Sequence, residues 1–266
     1  MTDPVAGQLT TDAADYYEKY FVPALFKERT GTLLDVAKIV AGDTVLDVGC
    51  GTGILARDAW SRLGQNGAVT GIDPNEGMIA AARRVEPGIN WHIGPAESLP
   101  FEDASFDQVV SQFALMFFAD RSRGLAEMWR VTRPGGRLTV AVWDTLENTP
   151  GYAAMVGIDT RLFGEHVANE LRAPYSLGDK EVLQDLFAEA GIPDVCLFTH
   201  EGCARFPSIQ AWVDLDVQGW TLGEMIGPAG HEQLRHVAEQ ELQGFVQVDG
   251  TVAFASPSHL VTAIKS

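Results

Sequence analysis

The chain's 266 residues are 46% hydrophobic, enough for one sizeable core with a cap, and no apolar run reaches the ~18 residues that a membrane span needs. Acids outnumber bases by 36 − 19 = 17, a surplus that repels phosphate backbones and anionic membranes and so disfavours nucleic-acid partners. Three cysteines (Cys50, Cys196, Cys203) with no C-x-x-C pair fit a reduced, cytoplasmic protein without a disulfide frame or zinc site, and Met1-Thr2-Asp3-Pro4 opens no signal-peptide pattern.

Residues 1–9 are small and polar and are expected to fray. From 13 to 40 the pattern predicts two short helices separated at Pro23, the first bearing Tyr16, Tyr17, Tyr20 and Phe21 as an aromatic stripe. Next, the apolar run Thr44–Val48 is too short for a buried helix and reads as a strand covered on both faces. It runs into Gly49-Cys50-Gly51-Thr52-Gly53, and helical spacing follows from 54 to 60. A strand, a glycine turn and a helix N-terminus let backbone approach a ligand closely. Spacing narrows the ligand. A dinucleotide fingerprint would put its third glycine where Ile54 stands, and the absence of Gly-Lys-Ser/Thr excludes a phosphate-binding P-loop. Asp47, two residues ahead of the first glycine, is a poor neighbour for pyrophosphate and a good one for an ammonium group.

A second strand, 68–72, ends in Asp73. If it lies parallel beside the first, that carboxylate reaches the turn and can accept hydrogen bonds from both ribose hydroxyls, a device nicotinamide enzymes share. With Pro74 and Asn75 following, a plain helix cap is the alternative. Residues 77–83 predict a helix, 90–94 a third strand, 95–101 a loop and 105–111 a fourth strand running into Gln112, Phe113 and the apolar stretch through Phe118. That stretch falls at the carboxyl end of the central strand, where open α/β sheets bind ligands. It predicts a hydrophobic acceptor pocket, with a buried helix start as the competing role for Leu115 and Phe118. A helix at 120–132, a Pro-Gly-Gly turn, a fifth strand at 138–143, a helix at 179–190 stopped by Gly191, a sixth strand at 195–200 and an antiparallel seventh within 251–264 complete the plan.

In order and at workable spacing, VLDVGCGTG, GIDPNEGM, AESLPF, SFDQVV and RPGG resemble the motifs of class I S-adenosylmethionine-dependent methyltransferases, in particular the ubiquinone/menaquinone-biosynthesis (type 11) group. The resemblance runs from about Tyr17 to Trp143. It implies an α/β fold, a Rossmann-like seven-stranded sheet with the last strand antiparallel, flanked by helices and topped by a mainly helical cap. As a single domain the chain divides into an N-terminal helical cap (10–41), a cofactor-binding core (42–147), cap insertions for substrate (148–177 and 208–250) and the end of the sheet (178–207 and 251–266). The implied cofactor is S-adenosyl-L-methionine, leaving as S-adenosyl-L-homocysteine. Its expected binders are Tyr17 or Tyr20 as a roof, then Asp47, Gly49, Cys50, Gly51, Thr52, Gly53, Asp73, Pro74, Met78 against the adenine (or in the core), Ala96 and Glu97 near its amino group, Gln112 and Phe113.

The group methylates carbon, oxygen and nitrogen, so the acceptor is left as a small, hydrophobic or aromatic molecule. No Asn-Pro-Pro-Tyr-like motif follows the fourth strand, where Ser111-Gln112-Phe113 stands, and no paired-glutamate loop of the protein-arginine type occurs. The cofactor carries the driving force, so positioning can suffice; His166, in the first insertion, is the candidate base if the acceptor is a phenol or an acidic carbon. His231 and His236 differ by about 140° around a helix and cannot share a face, so no metal is expected there. Two other classes stay open at this point: a nicotinamide-dependent oxidoreductase, and a cofactor-binding protein without catalysis.

Overall fold

The computed structural model describes residues 11–219 and 222–266; the polar stretch 1–9 lies outside them. Among the described residues nine strands form two sheets. The main one is seven-stranded, built from β1 (Thr44–Val48), β2 (Ala68–Asp73), β3 (Asn90–Ile93), β4 (Phe106–Gln112), β5 (Thr132–Trp143), β6 (Cys196–His200) and β9 (Ser258–Ile264), in the order β3-β2-β1-β4-β5-β9-β6. Neighbours β3 through β5 pair in parallel, while β9 runs antiparallel to both β5 and β6. The apolar runs of β1 and β4 are buried because helices cover both faces.

The helices are α1 (Thr11–Tyr16), α2 (Lys27–Ala37), α3 (Ile54–Leu63), α4 (Glu76–Val85), α5 (Arg121–Val131), α6 (Pro150–Phe163), α7 (Glu165–Arg172), α8 (Lys180–Glu189), α9 (Ile209–Gln218) and α10 (Leu222–Glu241), the last kinked at Gly227-Pro228. Several starts are capped as their sequences dictate: Asn75, Asp120, Asp179 and Ser208 each accept a backbone N–H of the first turn.

Two expectations need correction. Pro23 does not divide the N-terminal segment into separate helices. The chain stays helical from 11 to 37 by widening into a π-helix over Tyr17–Phe26, where the Lys27 N–H reaches back five residues to the Val22 carbonyl. Proline lacks an N–H and collides with the carbonyl four residues earlier, and a wider turn relieves both problems. Likewise the stretch 251–264 is two strands. It breaks at Ser256-Pro257, and its first half, β8 (Val252–Ala255), leaves the main sheet to pair with β7 (Cys203–Phe206) in a two-stranded ribbon.

Candidate active site

Strand order reverses between β1 and β4, and the cleft opens at the carboxyl ends on either side of that point. Register sets the neighbours. Val48 pairs with Ile72, so the turn after β1 and Asp73 at the end of β2 arrive side by side. The turn hangs on β2 through N–H bonds from Gly49 (2.8 Å) and Cys50 (3.1 Å) to the Ile72 carbonyl. Gly49, Gly51 and Gly53 all have positive φ, at 69°, 53° and 89°. Their surroundings differ. A Cβ on Gly49 would fall 2.3 Å from the Ala114 Cβ, and one on Gly53 would fall 2.3 Å from the Trp91 ring, but one on Gly51 would meet nothing within 4 Å. Gly49 and Gly53 therefore permit close packing, while Gly51 leaves bare backbone facing the cleft.

Asp73 accepts the Gly51 N–H on one oxygen and the Asn75 N–H on the other, both at 2.9 Å, which locks the carboxylate to the turn. Burial raises its proton affinity, and those two N–H groups pull it back down. Asp47 is 1% exposed, and its Oδ2 has no hydrogen-bond partner among the described residues. Burial, with a smaller push from Asp73, raises its pKa to about 8 against a pull from the Ala56 N–H. A carboxyl so placed favours its protonated form near neutral pH, and a bound cation would draw that proton off.

The cleft encloses about 1460 Å³ of non-atom space including its open mouth. Of the expected binders, Tyr17, Asp47, Gly49, Cys50, Gly51, Thr52, Asp73, Pro74, Met78, Gln112 and Phe113 line it. Phe113 is held at a φ of 56°, a conformation costly for a non-glycine residue, and its ring stacks on Trp143 at 3.8 Å. Others are elsewhere. Tyr20 is 43% exposed and leans on Tyr16, because the wide turn brings Phe21, Leu25 and Phe26 into line with Tyr17 instead. Gly53 lies behind the turn against Trp91. Ala96 is buried away from the cleft, and Glu97 is drawn to α5, accepting the Asp120 N–H at 3.1 Å and, through its carbonyl, the Arg123 Nε at 2.8 Å. His166 is exposed at the start of α7, whose inward face is filled by Val167, Ala168 and Leu171. Of those three, Leu171 reaches the cleft.

The second half of the cleft was not legible in the sequence. Its walls come from Phe26, Phe117, Trp143, Tyr152, Tyr175 and their neighbours, closed by Asp216 on α9 and by Ser256 at the β8–β9 break. One signal does exist: in Val213-Asp214-Leu215-Asp216-Val217 two acids two residues apart point about 200° apart on a helix, so one of them must enter the apolar face. Asp214 faces out to His231 (2.8 Å) and Arg235, and Asp216 faces in.

The residues fit S-adenosylmethionine. The unpartnered Asp47 oxygen suits its ammonium group, the bare Gly51 backbone leaves it room, and the locked Asp73 keeps lone pairs for ribose hydroxyls. Among the described residues no group of three or more His, Cys, Asp or Glu could hold a metal ion, and no helix is long and apolar enough to cross a membrane.

Residues 46–140 match the family model described as a methyltransferase domain. The chain is 39% identical over 110 residues to the ubiquinone/menaquinone biosynthesis C-methyltransferase of Geobacter sulfurreducens, covering 39% of this chain and 43% of that one. It is also 39% identical over 131 residues to the demethylmenaquinone methyltransferase of Beutenbergia cavernae, covering 49% and 52%. These matches span about half the length of those relatives. A longer one, to the demethylmenaquinone methyltransferase of Listeria monocytogenes serotype 4a, is 33% identical over 197 residues and covers 67% of this chain and 81% of the relative. Among solved structures, the YcgJ protein from Bacillus subtilis superposes with a TM-score of 0.59 at 20% identity, covering 90% of this chain and 98% of that one, a likeness of fold. With the Listeria relative matched over most of its length and the glycine turn inside the family model, the chain belongs to the class I S-adenosylmethionine-dependent methyltransferases of the ubiquinone/menaquinone-biosynthesis type.

Proposed function

We propose that the protein transfers a methyl group from S-adenosylmethionine to a small, hydrophobic or aromatic acceptor. One observation carries this reading: the cleft continues from the glycine turn into a chamber walled by Phe26, Phe117, Trp143, Tyr152 and Tyr175. When bound, the cofactor supplies an activated methyl group on a positive sulfur. The chain's own role is to hold the donor on Asp47, Gly51 and Asp73, to orient an acceptor between aromatic faces and to keep water out. None of the described lining residues is a histidine, which favours positioning over a histidine base as the main contribution. The helices above the sheet, Tyr17–Phe26 on one side and α6, α7 and α9 on the other, select the acceptor. Relatives named for ubiquinone and menaquinone biosynthesis support a ring-bearing acceptor. The acidic surface weighs against nucleic acid, and the three free cysteines support a cytoplasmic setting.

Calorimetry with S-adenosylhomocysteine and with NAD tests the donor site, and transfer of labelled methyl from S-adenosylmethionine to a panel of phenols, quinols, amines and carboxylates tests the activity. S-adenosylhomocysteine should bind and NAD should not, with label passing to ring-bearing members of the panel. Binding of NAD in place of S-adenosylhomocysteine would overturn the reading; binding without transfer to any member would reduce the protein to a cofactor binder.

A further inference from the structure

At the acceptor end of the cleft, far more apolar than the turn, stands a carboxyl group that the donor site does not use. Asp216 is 2% exposed, and one of its oxygens accepts the Tyr152 hydroxyl at 3.1 Å. Asp216 lines the cleft; its other oxygen, Oδ2, makes no hydrogen bond of ordinary geometry among the described residues, though the Trp212 indole N–H lies close enough to ease the carboxyl's proton affinity down. Ser256, 1% exposed, lines the same cleft and has a hydroxyl without a partner among the described residues.

No lysine, arginine or histidine is among the described lining residues. Arg29, a buried cation behind the wall, stacks on the Trp143 ring at 4.8 Å and donates to the carbonyl oxygens of Leu25 and Ser256; its Nε is left unpaired, and among the described residues it makes no ion pair with Asp216. Asp159 on α6, also fully buried and with both oxygens unpartnered, adds negative charge near Asp216.

We propose that Asp216, fixed by Tyr152, is the recognition point for a positively charged nitrogen on the methyl acceptor, which makes the substrate class an aromatic or apolar amine. The inference rests on the methyl-transfer reading above. A buried carboxylate is tolerated only when paired, and the described residues of the cleft offer it the Tyr152 hydroxyl but no cation. Burial accordingly pushes its proton affinity well up, and a bound cation would reverse that. The surrounding aromatic faces carry the negative quadrupole that attracts ammonium groups, and a chain with a formal charge of −17 concentrates cations at its surface. A neutral hydroxyl could hydrogen-bond the protonated carboxyl but would gain no charge pairing, and an anion would meet no cation there.

Three probes of matched shape separate these cases: 2-phenylethylamine, 2-phenylethanol and 3-phenylpropionate, titrated into the protein loaded with S-adenosylhomocysteine. The amine should bind about tenfold or more tightly than the alcohol, with the propionate weakest. In D216N the amine and alcohol should converge to within roughly threefold, as expected when a charge pair becomes a neutral hydrogen bond, while S-adenosylhomocysteine affinity is retained and reports an intact fold. An alcohol that binds the wild type as well as the amine does, an amine preference that survives in D216N, or no amine binding to the loaded protein would each overturn the proposal. Failure of S-adenosylhomocysteine to bind the wild type would instead remove the methyl-transfer reading, and this inference with it.

Discussion

On the proposed reading, in which Asp47 meets the donor's ammonium group, donor binding is coupled to protons. With its pKa raised to about 8 by burial, the free site holds a neutral carboxyl at pH 7, and pairing with an ammonium group requires that proton to leave. Binding should therefore release up to one proton near pH 6.5 and strengthen as pH rises towards 8, by at most tenfold per unit. Above that, the donor's own amino group, with an ordinary pKa of about 7.7–8.0, begins to lose its charge and the gain ends. Calorimetry of S-adenosylhomocysteine in buffers of differing ionisation enthalpy reads the proton directly. D47N should abolish the release and weaken binding by about ten- to a hundredfold, the range for a hydrogen bond to a charged partner. A wild-type proton release of zero at pH 6.5 would show that Asp47 is already ionised, or is not the group that meets the ammonium.

At the scale of elements, α6 carries a cost of its own. Asp159 sits on it fully buried with neither oxygen paired, and burial raises its pKa to about 7. Because the folded value lies above the unfolded one of about 3.9, the native state binds the proton more tightly, and stability is lost as pH rises from about 4 to 7. The loss is of order 2 kcal/mol, with about 4 kcal/mol as the ceiling set by the full shift. D159N, nearly the same in volume and never charged, should raise the melting temperature at pH 8 by about 4–8 °C and change it little at pH 4. A variant–wild-type gap that does not vary with pH would show that Asp159 is compensated in a way its unpaired oxygens do not reveal. Local pattern could not expose such a residue. β1 was legible because an apolar run closed by glycines has one reading, and Asp73 because its place follows from a parallel neighbour. The split of 251–264 was not, since β7 pairs with β8 across some fifty residues of intervening chain. Nor were Tyr152 and Tyr175, which belong to ordinary-looking helical segments and become a wall only when distant segments meet; Asp216 left only the signal of two acids on opposite faces of one helix.

For the molecule as a whole, the cleft is floored by the sheet and roofed by helices from opposite ends of the chain. Tyr17, Phe21, Leu25 and Phe26 hang over it from the N-terminal side, and Asp216 from α9. The roof's opening is thus tied to ligand in a way that remote elements are not. A ligand that binds only the closed form raises the cost of any opening that breaks its site by RT ln(1 + [L]/Kd), about 2.7 kcal/mol at a hundredfold excess over Kd. Amides of Tyr17–Phe26 and of the turn at 49–53, when they exchange through local opening, should then slow by up to about a hundredfold. α8 contributes nothing to the cleft, being packed against α5 on the flank of the sheet. Its local openings leave the site intact and should keep their rates. Hydrogen exchange with and without S-adenosylhomocysteine makes the comparison within one sample. Equal slowing in α8 and in Tyr17–Phe26 would mean that both exchange only by global unfolding. An unchanged Tyr17–Phe26 beside a protected turn would mean that the N-terminal helices do not close over the donor at all.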